Sequence, residues 1–236
     1  MKKDIHFKNL LDRVEKFRGY YMMTLASFTI FDEISKVLAI NIVGKRKAEK
    51  NLEIINRYNY FFSITKESNR SYFLIELSKL FDKNNQSLGI ESLIEYAEKN
   101  ITSLSEKHFL QYHDKREIIP ELFKSYKQLN LKDLEKIKRR LHNNSSKIDK
   151  IRIYRDKFLA HNDIRGKEII INKNDIITLL NIVKDTIDLF YNKLNFSTNS
   201  YKNFSEEPSN DIRRVVDDLI EYRKVFNKNI KEKYKL

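Results

Sequence analysis

Cysteine is absent from the chain of 236 residues. That absence excludes a disulfide framework, a thiolate metal site and a thiol nucleophile, and it suits a reducing cytosol. Glycine and proline are scarce, at four and two residues. Little material is therefore available for the tight turns of a β-rich fold, and long helices are favoured instead. No apolar run approaches the ~18 residues of a membrane span. The opening Met1-Lys2-Lys3-Asp4-Ile5-His6 is charged, and Lys8, Asp12, Arg13, Glu15 and Lys16 break up the apolar residues that follow, unlike a signal peptide. The sequence thus predicts a soluble, cytoplasmic protein with no membrane partner. A glycine-rich phosphate loop and a Ser-His-Asp constellation are both missing, so nucleotide hydrolysis and acyl transfer find no support. His108 and His113 stand five apart without the carboxylate–histidine spacing of a metal site. No metal and no cofactor are expected.

What is present is helical. The apolar fraction of 41% can build a core, and the length suits one domain spanning residues 1–236, with about 206–236 as an accessory helix and basic tail. Periodicity predicts a first helix over about 4–43, with Leu10, Leu11, Val14, Phe17, Tyr21, Leu25, Phe28, Phe31 and Ile34 inward and Gly44 at its C-cap. A second runs over about 47–81 through Leu52, Ile55, Tyr58, Phe62, Tyr72, Phe73, Leu77 and Leu80, with a kink expected in the polar stretch Thr65–Ser71. Its aromatics at 58, 60, 61, 62, 72 and 73 could stack nucleobases, but at helical spacing they read first as core. Residues 82–87 form a turn, and Ser87 or a neighbour caps a helix over about 88–99 with Glu91 in a capping position. Pro120 opens a short helix to about Lys127, and 101–112 could hold another. A basic helix is expected over about 131–162, interrupted near Asn143-Asn144-Ser145-Ser146. After a loop at 165–172, Asn174 or Asp175 caps a helix to about Leu194, carrying Ile177, Leu180, Val183, Ile187 and Phe190 inward. Residues 196–210 read as a linker, and a last helix over about 210–231 carries Ile212, Val215, Val216, Leu219, Ile220 and Val225. The fold class is all-α, an antiparallel helical bundle.

The net charge of +13 suits nucleic acid, because basic surface captures phosphate by releasing counterions. Enrichment in lysine, isoleucine and asparagine is also what an AT-rich genome produces, so distribution carries more than the total. Residues 132–157 hold ten basic side chains against four acidic ones, a net +6 on a single helix.

That helix ends in the most informative stretch, Lys150-Ile151-Arg152-Ile153-Tyr154-Arg155-Asp156-Lys157-Phe158-Leu159-Ala160-His161-Asn162-Asp163. With Phe158 as the centre of an α-helical face at about 100° per residue, Ile151 and Tyr154 fall within roughly 40° of it. Arg155 and His161 fall about 60° to either side, roughly 9 Å apart along the axis. Two polar groups bordering one apolar seam would be placed to meet their own copies across a helix–helix dimer.

The segment Arg155-Asp156-x-x-x-x-His161-Asn162 resembles the arginine/histidine motif of the HEPN superfamily, and most closely its abortive-infection, AbiU-type branch. Asn69-Arg70-Ser71-Tyr72-Phe73-Leu74-Ile75-Glu76-Leu77-Ser78-Lys79-Leu80-Phe81-Asp82 supports that branch; the two segments cover about a tenth of the chain. The resemblance implies a HEPN-like antiparallel four-helix bundle with additional helices, a homodimer and a phage-defence or toxin-type role. It also implies metal-independent endoribonuclease chemistry that leaves a 2′,3′-cyclic phosphate and a 5′-OH. Arg155 and His161 would be catalytic with Asp156 orienting Arg155, while Lys150, Arg152, Lys157 and Asn162 would bind the RNA. HEPN toxins silenced by a nucleotidyltransferase antitoxin carry a tyrosine just after the histidine. Asn162, Asp163, Ile164 and Arg165 stand here instead, which speaks against that mode of control while leaving an unidentified antitoxin or defence partner open.

These residue types suit the chemistry. A histidine titrates near neutrality and can take the 2′-OH proton or protonate the leaving 5′-oxygen. An arginine is always charged and forked, and can stabilise charge on the phosphorus oxygens. The same residues also admit a structural reading, with Arg155 in salt bridges and His161 capping the helix C-terminus, where a cation is favourable. Three functions follow: a ribonuclease, a non-catalytic module binding nucleic acid or a partner protein, and an interaction domain without a nucleic-acid role.

Overall fold

A computed structural model describes residues 5–84, 87–113, 120–159 and 171–234. Among them every regular element is helical and no strand occurs, as the sparse glycine and proline predict. In chain order the helices are α1 (Ile5–Lys36), α2 (Ile40–Val43), α3 (Lys45–Arg57), α4 (Asn59–Leu80), α5 (Ile90–Lys99) and α6 (Glu106–Tyr112). They continue as α7 (Pro120–Phe123), α8 (Leu131–Asn143), α9 (Ser145–Tyr154), α10 (Lys173–Asn195), α11 (Lys202–Ser205) and α12 (Glu207–Tyr234). The chain forms two compact units, one of Met1–Met22 with Leu74–Ser200 and the other of Met23–Phe73 with Tyr201–Leu236.

The first unit is an antiparallel helical packing whose directions can be read from its ion pairs. Asp133, Arg140 and Lys150 rise along α8 and α9, while their partners Lys193, Asp185 and Asp175 descend along α10, at 3.6, 2.8 and 3.8 Å. The apolar stripe of α10 lies beneath them, with Leu179, Val183, Ile187, Phe190 and Leu194 buried, as the periodicity requires. Phe7 opens α1 against Phe109, Tyr112 and His113 of the α6 segment. Arg18, further along α1, lies 5.2 Å above the Tyr191 ring of α10. Tyr21 follows it in the interior, where burial and the nearby Asp188 and Asp185 push its phenol far up.

In the second unit Ile34, Val37, Ile54, Ile55, Phe62 and Val216 form one buried cluster. Lys47 pairs with Asp217 at 3.1 Å and Arg223 with Glu53 at 3.0 Å, so α3 and α12 run parallel. Glu33 is the buried acid here. Ser209 Oγ and Arg213 Nε donate to its two oxygens at 2.8 and 2.6 Å, and Lys36 stands 3.7 Å away.

Several boundaries differ from the sequence expectation, each for a local reason. The first helix stops at Lys36 because the side-chain amide of Asn51, buried in α3, donates to the Val37 carbonyl at 2.6 Å and ends the ladder. The second expected helix breaks at Tyr58, not within Thr65–Ser71. In α4 the polar residues are satisfied inside the helix: Asn69 donates to the Thr65 carbonyl at 2.8 Å and Ser63 to Asn59 at 3.0 Å. Gly89, not Ser87, opens α5, with its N–H donating to Ser92 Oγ at 3.2 Å. The Pro120 helix ends at Phe123. Asn172, not Asn174 or Asp175, caps α10 by accepting from the Asp175 N–H at 2.8 Å. Phe196, in the left-handed region at φ 47°, closes α10. The stretch read as a linker instead holds α11 and the start of α12, where Pro208 is tolerated because a first-turn N–H has no intrahelical partner. The interruption at Asn144 is as expected. Of the six aromatics read as core, Phe62 and Phe73 are buried, whereas Tyr58, Tyr60, Phe61 and Tyr72 are exposed. Leu52, Ile177, Val215 and Val225 are exposed too, although their spacing placed them inward. The expected loop at 165–172 lies outside the described residues up to 170.

The Glu33 cluster yields a stability prediction. Burial pushes the Glu33 carboxyl up, but the hydrogen bonds from Arg213 and Ser209 and the charges of Arg213 and Lys36 outweigh it and hold the pKa below the ordinary 4.5. Glu33→Ala should cost about 1–3 kcal/mol near neutral pH, read by chemical denaturation. Because the folded-state pKa is depressed, the contribution is full above the unfolded value and fades as pH falls through the folded one. The gap between wild type and variant should therefore close only below 4.5.

Candidate functional site

The basic stretch that dominates the sequence is built from α8 and α9. Asn130 caps α8 by accepting from the Asp133 N–H at 3.1 Å, and Leu134, Ile137 and Leu141 form its buried stripe. Ile148 and Ile151 continue that stripe in α9. Beyond Tyr154 the helix widens into a single π turn, Arg155–Leu159, whose hydrogen bonds reach five residues back. The change has two consequences. A 100° projection holds as far as Arg155 and does not describe the π turn that begins there; His161, the other half of the expected placement, lies outside the described residues. The wider turn also coincides with the arginine motif, and such turns recur at functional sites.

Arg155 sits at the start of this turn with its guanidinium half-buried. Its Nε donates to Asp156 Oδ1 at 2.7 Å, and its Nη1 lies 3.7 Å from Asp82 Oδ2. Arg152, one turn earlier, donates through Nη2 to the Phe81 carbonyl, and its Nη1 stands 3.5 Å from Asp149 Oδ1. The two arginines therefore grip consecutive residues of the segment that follows α4. The two sequence stretches that carried the HEPN resemblance meet here, through Asp82 at the end of one and Arg155 in the other. Asp82 and the Phe81 carbonyl are site groups that residue-by-residue reading does not reach, because residues 82–87 read simply as a turn. The available signal was the position of Asp82 at the end of the second resembling segment.

The remaining predicted residues fall differently. Lys150 Nζ lies 3.8 Å from Asp175 Oδ2, Lys157 is exposed, and Ile151 is buried beneath them. His161 and Asn162 lie outside the described residues. The +6 excess of the basic stretch is largely met from elsewhere in the unit. Lys138 reaches Glu98 at 2.6 Å and Arg140 reaches Asp185 at 2.8 Å, in addition to the Arg155–Asp82 and Lys150–Asp175 pairs. This surface is a salt-bridge network and not a bare cationic face. Among the described residues, no group of three or more His, Asp or Glu side chains could hold a metal ion, and no helix is long and apolar enough to cross a membrane.

Beside the arginines a cleft of about 370 Å³ opens, with an apolar floor from Phe81, Ile90 and Leu141 and a polar rim that includes His142, Asp149 and Arg152. Just before Ile90, which lines the cleft, two stretches of backbone approach closely. A Cβ added to Gly89 would meet the Asp82 carbonyl oxygen at 2.6 Å, so this position admits no side chain without moving the residue that faces Arg155.

An all-α packing, with an arginine at a π turn of the motif helix, is the setting in which the class is read. The fold is a HEPN-like helical fold. The HEPN AbiU2 family model matches residues 7–229, nearly the whole chain, and the protein belongs to that family. It is thus an abortive-infection, HEPN-type protein. No curated protein and no solved structure matches the chain.

Gly89→Ala should cost about 1–3 kcal/mol by overpacking. Arg155→Ala, which removes a partly solvated pair, should stay within about 1 kcal/mol of wild type. Urea denaturation of both variants checks the order, and an Arg155→Ala loss larger than that of Gly89→Ala would contradict it.

Proposed function

We propose that this protein acts on RNA in defence, as a metal-independent endoribonuclease whose site is completed by a second copy of the chain. The observation that carries the reading is Arg155, placed at a π turn and oriented by Asp82 and Asp156, in a chain of the AbiU2 family. In the proposed reaction the RNA 2′-oxygen attacks the adjacent phosphorus and the P–O5′ bond breaks. His161 of one copy takes the 2′-OH proton, and His161 of the other protonates the leaving 5′-oxygen. Arg155 stabilises the charge that builds on the non-bridging oxygens, a role its forked and permanent cation suits. The products are a 2′,3′-cyclic phosphate and a 5′-OH. Asp156 orients Arg155. Lys157, already exposed, holds a flanking phosphate together with Asn162, while Lys150 and Arg152 contribute by exchanging their present partners for phosphate. An antitoxin or other defence partner would bind the same helix and cover it.

A second reading has its own support: two carboxylates already hold Arg155 and compete with phosphate for it. On that reading the protein is a non-catalytic module that binds nucleic acid or a partner protein.

The two readings separate in one experiment. Purified protein incubated with total bacterial RNA in EDTA should produce fragments with cyclic-phosphate and 5′-OH ends. Arg155→Ala and His161→Ala should each slow cleavage by about 10²–10⁴-fold. Equal background in all three proteins supports the second reading.

A further inference from the structure

The second unit holds a charged cleft that the motif does not use. It lies between the first turns of α3 and the middle of α12, with a volume of about 620 Å³. Lys45, Arg46, Lys47 and Lys50 line it from α3 and Lys224 from α12, opposed by Asp217 and Glu221. The two acids are already engaged, Asp217 by Lys47 at 3.1 Å and Glu221 by Lys224 at 2.5 Å. Lys45, Arg46 and Lys50 are exposed and form no ion pair among the described residues.

Their position works against the stability of the helix that carries them. The first turn of α3 contains no acidic residue, and its N-cap, Gly44 at φ 80°, offers no side chain to the free N–H groups. Lys45 and Arg46 add positive charge at the positive end of the helix dipole, where an acid would be favourable. On α8 and α9, by contrast, Lys138, Arg140, Lys150 and Arg155 each meet an acid from another part of the unit. Here three cations line one open cleft whose two acids, Asp217 and Glu221, are both already paired.

We infer that this cleft is a second nucleic-acid contact, which holds the sugar-phosphate backbone of an RNA strand away from the motif. The inference rests on the RNA reading above for its class of ligand, but not on cleavage. Phosphodiester oxygens supply the missing negative charge, and release of condensed counterions supplies the driving force. Charged side chains dominate the lining, Val43 and Ile220 are its apolar members and no aromatic ring is among them, which suits a backbone contact without base stacking.

The test measures binding of a fluorescein-labelled RNA single strand of about 20 nucleotides, 2′-O-methylated so that it cannot be cleaved, by anisotropy over a salt series. The triple variant Lys45→Gln, Arg46→Gln, Lys50→Gln should bind at least about tenfold more weakly at low salt. Its slope of log affinity against log salt should be shallower by about 2, from the loss of three contacts on a single strand. A charge-matched control, Lys99→Gln, Lys107→Gln, Lys127→Gln in the first unit, should keep the wild-type slope. The cleft variant should also melt no lower than wild type without RNA, because it removes cations from the wrong end of a helix. An unchanged slope in the cleft variant, an equal fall in the control, or binding to phosphatidylserine vesicles in place of RNA would overturn the inference. Loss of cleavage in Arg155→Ala is read separately on unmodified RNA. The cleft can thus fail while the ribonuclease reading stands, and the reverse.

Discussion

The Phe81 carbonyl accepts a hydrogen bond from Arg152, and much of the first unit's functional geometry depends on that contact. Phe81 closes α4, where the last carbonyls of a helix have no intrahelical partner. A guanidinium from 71 residues later in the chain satisfies one of them. With Phe81 held, Asp82 comes within 3.7 Å of Arg155, and Gly89 lets the returning chain pass against the Asp82 backbone. The arginine of the family motif is thus oriented by a turn remote in sequence as well as by its neighbour Asp156. The carboxylates of Asp82 and Asp156 that anchor the side chain fix the direction in which its guanidinium points.

The π turn adds a second constraint. An α-helix would carry the Ile151 and Tyr154 face onward at 100° per residue. The wider turn at Arg155–Leu159 departs from that period, so the geometry at Arg155 is a property of the turn and not of helical periodicity. Ile151, buried just before the change, anchors the helix ahead of Arg155.

Charge in this protein divides into two kinds. On α8 and α9 the excess of basic residues is answered by Glu98, Asp185, Asp175 and Asp82, all contributed by other elements of the unit. Such partly exposed pairs contribute modestly to stability and hold the helices in register. On α3, Lys47 pairs with Asp217, whereas Lys45, Arg46 and Lys50 form no ion pair among the described residues. A net charge of +13 therefore says less about where RNA would bind than the map of paired and unpaired cations does.

Much of this was legible in the chain alone. Few glycines and prolines with persistent 3.6-residue periodicity determined an all-α fold. The stripes of α8 and α10 and the break at Asn144 were readable from spacing and residue type, because each is a local property, and the family from the resemblance of the arginine motif. Other features were not. Asn51 ends α1 from another helix, and Asp82 reaches Arg155 from a turn. Tyr60 and Phe61 stand in solvent despite core-like spacing, since periodicity marks a face without saying that anything covers it. The composition and periods of the sequence determined which segments became helices and what chemistry they carry. The tertiary structure alone decided which charges find partners and where Arg155 is held, because those outcomes depend on groups brought together from distant parts of the chain.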